Sequence, residues 1–272
     1  MDHPALPLLD EPYPLTDEHV AAYRRDGFVQ VDDVVTGETL AAMREAVVAA
    51  VEAESMGDDA AADGIYARIF NQKVNLWARH PSVAPFTLSR RLGDVAARLA
   101  GTDVRVWHDQ ALFKAPHQDP GNPTPWHQDA PYWPHGDRRR SLSIWIALRD
   151  ATPENGCMTF VPGTHEAGEL DAVDLGKGHL QRPNLLELAP AFKGTKAQLR
   201  PLKAGSATFH NGLTFHYAGA NRSEATREAF VVIYTPADQT FSGDPGHGIT
   251  DPLNLKPGDR LPDATFPVVG RA

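Results

Sequence analysis

Residues 37–54 carry apolar Leu40, Met43, Val47 and Val51 at helical spacing on an alanine-rich background. That stripe predicts an amphipathic helix, with Thr36 placed to cap it. Upstream, residues 16–25 read as a shorter helix with Thr16 as N-cap and Asp17 and Glu18 in the first turn, where acidic groups offset the helix dipole. A turn at Asp26-Gly27 leads into an apolar run from Phe28 to Val31, and a third helix is expected over residues 82–100, ending at Gly101. From Val104 onward the period changes to short β-rich runs punctuated by proline and glycine. Leu142, Ile144, Ile146 and Leu148 alternate with Ser143, Trp145 and Ala147, a strand with two different faces. Ala229-Phe230-Val231-Val232-Ile233-Tyr234 reads as a buried strand. Residues 166–200 are irregular, charged and too long for a passive connection, so we expect an insertion covering the mouth of a site. The pattern describes one domain: helical support at 16–101, a β core at 104–235 holding that insertion, and an extension at 236–272.

Composition narrows the class. The chain has 272 residues of which 42% are hydrophobic, enough for one substantial core. Its net charge of −9 argues against a nucleic-acid or anionic-membrane partner and for a small-molecule one. Cys157 is the only cysteine, so an intramolecular disulfide is impossible, and its neighbours Gly156, Met158 and Phe160 predict a buried thiol. No stretch of about 18 apolar residues occurs, and the start, Met1-Asp2-His3-Pro4, lacks the basic and apolar regions of a secretory leader. The expected setting is a reducing cytoplasm. Oligomeric state is not legible at this level.

The chemistry concentrates in Trp126-His127-Gln128-Asp129. On an extended strand alternate side chains share a face, so one strand is expected to aim both His127 and Asp129 at a metal. A second histidine from a distant strand completes a two-histidine, one-carboxylate face and leaves three positions open. His216 and His210 both sit in strand-like surroundings, six residues apart, and periodicity does not separate them. Open positions suit a 2-oxo acid, which chelates through two of them, and dioxygen, which takes the third. Arg227, eleven residues past His216, has the planar fork that grips a distal carboxylate. The turn-forming residues from Tyr217 to Ser223 place it at the start of a strand expected to hairpin onto the one bearing His216. Two other classes use similar ligands: a zinc hydrolase, and a cupin-like module that binds a metal or ligand without oxidation. Neither needs Arg227.

Taken in order, Trp126-His127-Gln128-Asp129, ENGCMTFVPGTH at 154–165 and HNGLTFHYAGANRSEATR at 210–227 resemble the phytanoyl-CoA dioxygenase family of iron(II)- and 2-oxoglutarate-dependent oxygenases. The resemblance runs from roughly Thr16 to Tyr234. It implies a mainly β (α+β) double-stranded β-helix, or jelly roll, with the N-terminal helices packed outside. It further implies iron on His127, Asp129 and His216, 2-oxoglutarate anchored by Arg227, dioxygen as oxidant, and Lys114 and Trp145 lining the cosubstrate pocket. Many relatives have a serine or threonine two residues past the distal histidine; here it is Ala218, which leaves that hydroxyl contact to be supplied elsewhere, with Lys114 as the candidate. Related halogenases replace the carboxylate ligand by a small residue. Asp129 is retained, so hydroxylation, desaturation or ring closure of a small organic molecule, with release of succinate and carbon dioxide, is the implied chemistry. For the substrate, Trp133 and Tyr132 are candidate stacking residues and Asn71, Gln72, Asn75 and Trp77 a candidate opposite wall. Arg138, Arg139 and Arg140 read as a solvated loop and His165 as a structural turn residue. Substrate identity, including free acid against coenzyme A thioester, does not follow from family.

Overall fold

Two antiparallel sheets pack face to face, and the N-terminal helices cover the outer side of the larger one. The computed structural model describes residues 6–57, 71–116, 123–170 and 189–272. Along the chain come α1 (Asp17–Asp26), β1 (Phe28–Val31), α2 (Gly37–Gly57), β2 (Asn71–Val74), α3 (Ala84–Thr87), α4 (Arg90–Ala100) and β3 (Val104–Lys114). They are followed by β4 (Thr124–His127), β5 (Leu142–Ala147), β6 (Met158–Phe160), β7 (Gln198–Arg200), β8 (Ala207–Asn211), β9 (His216–Ala218), β10 (Arg227–Pro236) and β11 (Val268–Gly270). The large sheet runs β1-β8-β5-β10-β3-β11, with β2 also on β3; the small sheet runs β4-β9-β6-β7. This is the double-stranded β-helix that the motifs imply.

Helix boundaries follow local chemistry. Thr16 accepts a hydrogen bond from the His19 amide at the start of α1, and Gly27, at φ +81°, ends it in the left-handed region that glycine tolerates. The single helix expected over 82–100 is instead two. Ser89 leaves helical geometry, and its hydroxyl accepts from the Leu92 amide to cap α4 while donating to Leu9 O. A residue that caps belongs outside the helix it starts, which breaks the segment there.

The alternation in β5 is real, yet neither face is wet. Ile144, Ile146, Phe209, Phe230 and Val232 point outward into a core completed by Met43, Val47, Leu92, Val95 and Leu99 of the helices. Trp145, Val231 and Ile233 point inward, against Met158 and Phe160 of the small sheet. Along β3 the pairing with β10 slips one residue opposite Ile233 and Tyr234. Such a bulge turns two successive side chains the same way. Trp107 and His108 thus both face the interior, where strict alternation would send one of them out.

Two expectations change. Arg227 does begin a strand, but β10 lies in the large sheet between β3 and β5, whereas β9 lies in the small sheet between β4 and β6, so they form no hairpin. A jelly roll sends consecutive strands to opposite sheets, a long-range choice that turn residues do not encode. The insertion expected at 166–200 ends in β7, which pairs with β6; residues 171–188 of it lie outside the described residues.

Candidate metal centre

His127 is the last residue of β4 and pairs directly with His216, the first of β9. Cross-strand neighbours bring their side chains together, and the two imidazole centroids are 4.1 Å apart. Asp129 does not share the strand, contrary to the expectation from its spacing: its backbone is helical (φ −79°, ψ −39°) and it leads a short 3₁₀ turn, Ala130–Tyr132, with Pro131 inside it. The turn, not the pleat, swings the carboxylate back. His127 Nε2 and His216 Nε2 stand 3.4 and 3.5 Å from Asp129 Oδ1.

Proton placement decides what this trio can hold. His127 Nδ1 lies 2.8 Å from Pro125 O and His216 Nδ1 lies 3.0 Å from Thr214 O. A carbonyl only accepts, so each Nδ1 carries the proton and each Nε2 presents a bare lone pair. Burial lowers the His216 imidazole well below its ordinary range, with His127 acting in the same direction, so that lone pair stays free. Burial alone would raise the Asp129 carboxyl, but His216, His127 and His210 outweigh it and hold it well below the carboxylate range. Three electron-pair donors within 4.8 Å of one another therefore converge, and a divalent cation fits them.

The other oxygen, Asp129 Oδ2, accepts from Ser143 Oγ at 2.9 Å and from His210 Nε2 at 3.2 Å. This separates the two histidines that periodicity could not: His216 faces the ligand oxygen, and His210 steadies the carboxylate from behind. Gln128, between the ligands, donates to Leu213 O and Gly168 O and accepts from the Leu170 amide, tying the start of the insertion to the centre.

The glycine-rich motifs turn out to be supports. Thr164 of PGTH donates to Val161 O and accepts from the amide of Phe215, immediately before His216. Its neighbour His165 sits against Arg24 O, as a structural residue should. Gly156 of ENGC has φ +86°, and a Cβ there would collide with the Gly219 carbonyl. Its own carbonyl accepts from Arg227 Nη1 at 3.1 Å.

Arg227 is buried, lies 5.2 Å over the Trp145 ring, and gives a second hydrogen bond to Leu112 O. Its Nε and the Trp145 Nε1 are buried without partners, and among the described residues no carboxylate pairs with the guanidinium. Burial lowers it to about 9, because a cation held away from water is costly. Lys114 stands opposite Arg227 across the ladder, but its amine rests on Ala218 O (3.1 Å) and Gly219 O (2.5 Å), and it is not among the cavity-lining residues. Burial, then Arg227, lowers that amine well below its usual range.

His127, Asp129, His216 and Arg227 all open onto one cavity of about 250 Å³. Trp145, Tyr132 and Trp133 line it as expected, and so does Gln72. Asn75 and Trp77 do not line it. Asn75 is a left-handed turn residue (φ +58°), and the amides of Leu76 and Trp77 are held by buried Asp109. The side chain of Asn71 lies outside the described residues. His108, Gln110, Ser143 and His247 also line the cavity and carried no sequence signal, although alternation along β3 groups Gln110 with Leu112.

The model of the phytanoyl-CoA dioxygenase family matches residues 23–229. The chain is 29% identical over 154 residues to a probable alpha-ketoglutarate-dependent hypophosphite dioxygenase of Stutzerimonas stutzeri, covering 55% of this chain and 51% of that one. It is 28% identical over 161 residues to the ectoine dioxygenase of Sphingopyxis alaskensis, covering 56% and 50%. It thus spans about half the length of these sequence relatives. Among solved structures, the non-heme alpha ketoglutarate dependent carbocyclase SnoK from nogalamycin biosynthesis is 30% identical, with TM-score 0.80 over 95% of this chain and 99% of that one. The epimerase SnoN, solved with Fe3+, alpha ketoglutarate and nogalamycin RO, is 27% identical, with TM-score 0.73 over 93% and 98%.

Proposed function

The chain belongs to the phytanoyl-CoA dioxygenase family, and from that premise we propose that it is a non-haem iron(II), 2-oxoglutarate-dependent oxygenase acting on a small organic molecule, in specialised metabolism. The observation that carries the proposal is a buried Arg227, without a carboxylate partner among the described residues, opening onto the same cavity as three converging metal-ligand atoms. A zinc hydrolase or a passive metal binder has no use for that guanidinium. SnoK and SnoN support the metabolic setting.

In this reading His127, Asp129 and His216 hold the iron, and Ser143 and His210 keep Asp129 aimed. Arg227 grips the distal carboxylate of 2-oxoglutarate, whose charge offsets the cost of burying the guanidinium. Trp145 flanks that fork and keeps water from it. Lys114 donates to the carbonyls of Ala218 and Gly219 and so fixes the turn beyond His216. Thr124, paired across from Ala218 and lining the cavity, brings a hydroxyl to that side. When bound, iron and 2-oxoglutarate supply with dioxygen the power to break a substrate C–H bond, yielding succinate and carbon dioxide. Tyr132 and Trp133 bound the substrate space. Retention of Asp129 favours hydroxylation, desaturation or ring closure.

We read the helical support, the roll and the C-terminal extension as one working domain, because His247 of the extension lines the same cavity as the ligands. Among the described residues no helix is long and apolar enough to cross a membrane. A cytoplasmic protein without a nucleic-acid or membrane partner fits the single, buried thiol Cys157 and the net charge of −9. Anaerobic protein given iron(II) and then 2-oxoglutarate is expected to develop a weak visible charge-transfer band, absent with zinc. Iron binding without such a band overturns the proposal.

A further inference from the structure

The cavity wall away from Arg227 carries two histidines that the metal centre does not use. His108 shares the cavity face of β3 with Gln110 and Leu112, and His247 comes from the C-terminal extension; their rings stack with centroids 5.5 Å apart at an interplanar angle of 20°. Their backbone contacts fix opposite tautomers. His108 Nδ1 lies 3.1 Å from Asp109 O, so that nitrogen is the donor and Nε2 is left as an acceptor. His247 Nδ1 instead receives the amide of Ile249 at 3.3 Å, so its proton resides on Nε2, which is a donor. Neither Nε2 has a hydrogen-bond partner among the described residues. Burial lowers both rings, His108 to about 3, so the pair is neutral in the folded protein.

Around them the wall is also uncharged. Gln72 Nε2 donates to Gln110 Oε1 at 2.7 Å, and Val74, Leu112 and Ile233 supply apolar surface. Asp129 and Arg227 are the only lining residues with a formal charge among those described. With these two assigned to the metal and the 2-oxo acid, no ionic partner is left for a substrate group among the described lining residues.

We propose that this wall recognises an uncharged molecule with an apolar body and a hydroxyl group, the hydroxyl donating to His108 Nε2 and accepting from His247 Nε2–H. The assignment rests on the oxygenase reading, since it is that reading which removes Arg227 from the substrate. A hydroxyl satisfies one bare acceptor and one donor through a single oxygen; a carboxylate leaves the acceptor facing a negative charge, and an ether satisfies only the donor.

Histidine side-chain NMR on the full chain, loaded with zinc(II) as a diamagnetic stand-in and with 2-oxoglutarate, tests this. The probes are 2-naphthol, 2-methoxynaphthalene and 2-naphthoate, with His108→Phe and His247→Phe to assign the rings. Expected are an Nδ1–H tautomer at His108, an Nε2–H tautomer at His247, and naphthol shifting both. The ether is expected to bind about tenfold more weakly and to shift His247 alone, and His108→Phe to weaken naphthol about tenfold while sparing the ether. Reversed tautomers, naphthoate as the tightest probe, no probe moving either ring, or equal loss for naphthol and ether in His108→Phe each overturn the proposal. Shifts without the iron charge-transfer band mean that the oxygenase reading fails and the hydroxyl site stands. The band without shifts means the reverse.

Discussion

In the seven-stranded sheet every residue of β5, β8 and β10 is buried, on one side by the helices and on the other by the interior. The four-stranded sheet has strands of three or four residues, and in β4 only His127 is fully buried. Yet the small sheet and the turn beyond it hold all three candidate metal ligands. The large sheet supplies Arg227 and the cavity wall from His108 to Leu112. The fully buried strands and the candidate metal ligands thus belong to different parts of the fold, joined where Ser143 of β5 and His210 of β8 touch Asp129, and the cavity is where they meet. A long strand buried on both faces gives a rigid backing; short strands and a turn give the freedom to aim two rings and a carboxylate at one point.

The sharpest way to break this division is a pair of substitutions. Asp129→Ala is expected to abolish turnover and iron-dependent spectra while the thermal midpoint of the metal-free protein stays near the parent's. Phe230→Ala, in the fully buried β10, is expected to cost about 3–5 kcal/mol of stability, read by denaturant unfolding, with the iron site intact in molecules that remain folded. If Asp129→Ala unfolds the chain, the turn beyond the small sheet is structural after all.

Arg227→Gln probes the contribution of the large sheet to the chemistry. Losing the charged fork removes about 1.5–3 kcal/mol of charge-assisted hydrogen bonding, so the KM for 2-oxoglutarate is expected to rise about ten- to a hundredfold. An unchanged KM means that the cosubstrate is held elsewhere. His210→Phe leaves the three ligands and removes the donor to Asp129 Oδ2; iron affinity by competition with a chelator is expected to drop about ten- to a hundredfold.

The last effect is on stability against pH. Burial takes His108 from 6.5 to about 3, so below pH 6.5 the unfolded chain binds a proton that the folded chain refuses. Stability contributed by neutral His108 is present above the unfolded value and is lost as pH falls toward the folded one, at about 1.4 kcal/mol per pH unit for one proton. His108→Phe is expected to flatten the acid limb of unfolding midpoint against pH; an unchanged limb rejects a neutral, buried His108.

Much of this was legible in residue order because it depends on neighbours along the chain. The cap at Thr16, the turn at Asp26-Gly27, the stripe of α2, the alternation of β5 and the start of β10 at Arg227 are local matters of propensity and periodicity. The ordered motifs also named His127, Asp129, His216 and Arg227, since chemistry restricts which residue types can do that work. What tertiary structure decided are the facts that depend on partners far away in sequence. The Asp129 turn, the placement of β9 and β10 in different sheets, the approach of His216 and His210 to different oxygens of Asp129 and the resting of Lys114 on backbone carbonyls are of this kind. So is the meeting of His108 with His247. Periodicity reports which face a side chain takes on its own element, whereas a site is set by which faces of distant elements are brought opposite one another, and that is settled only when the whole core closes.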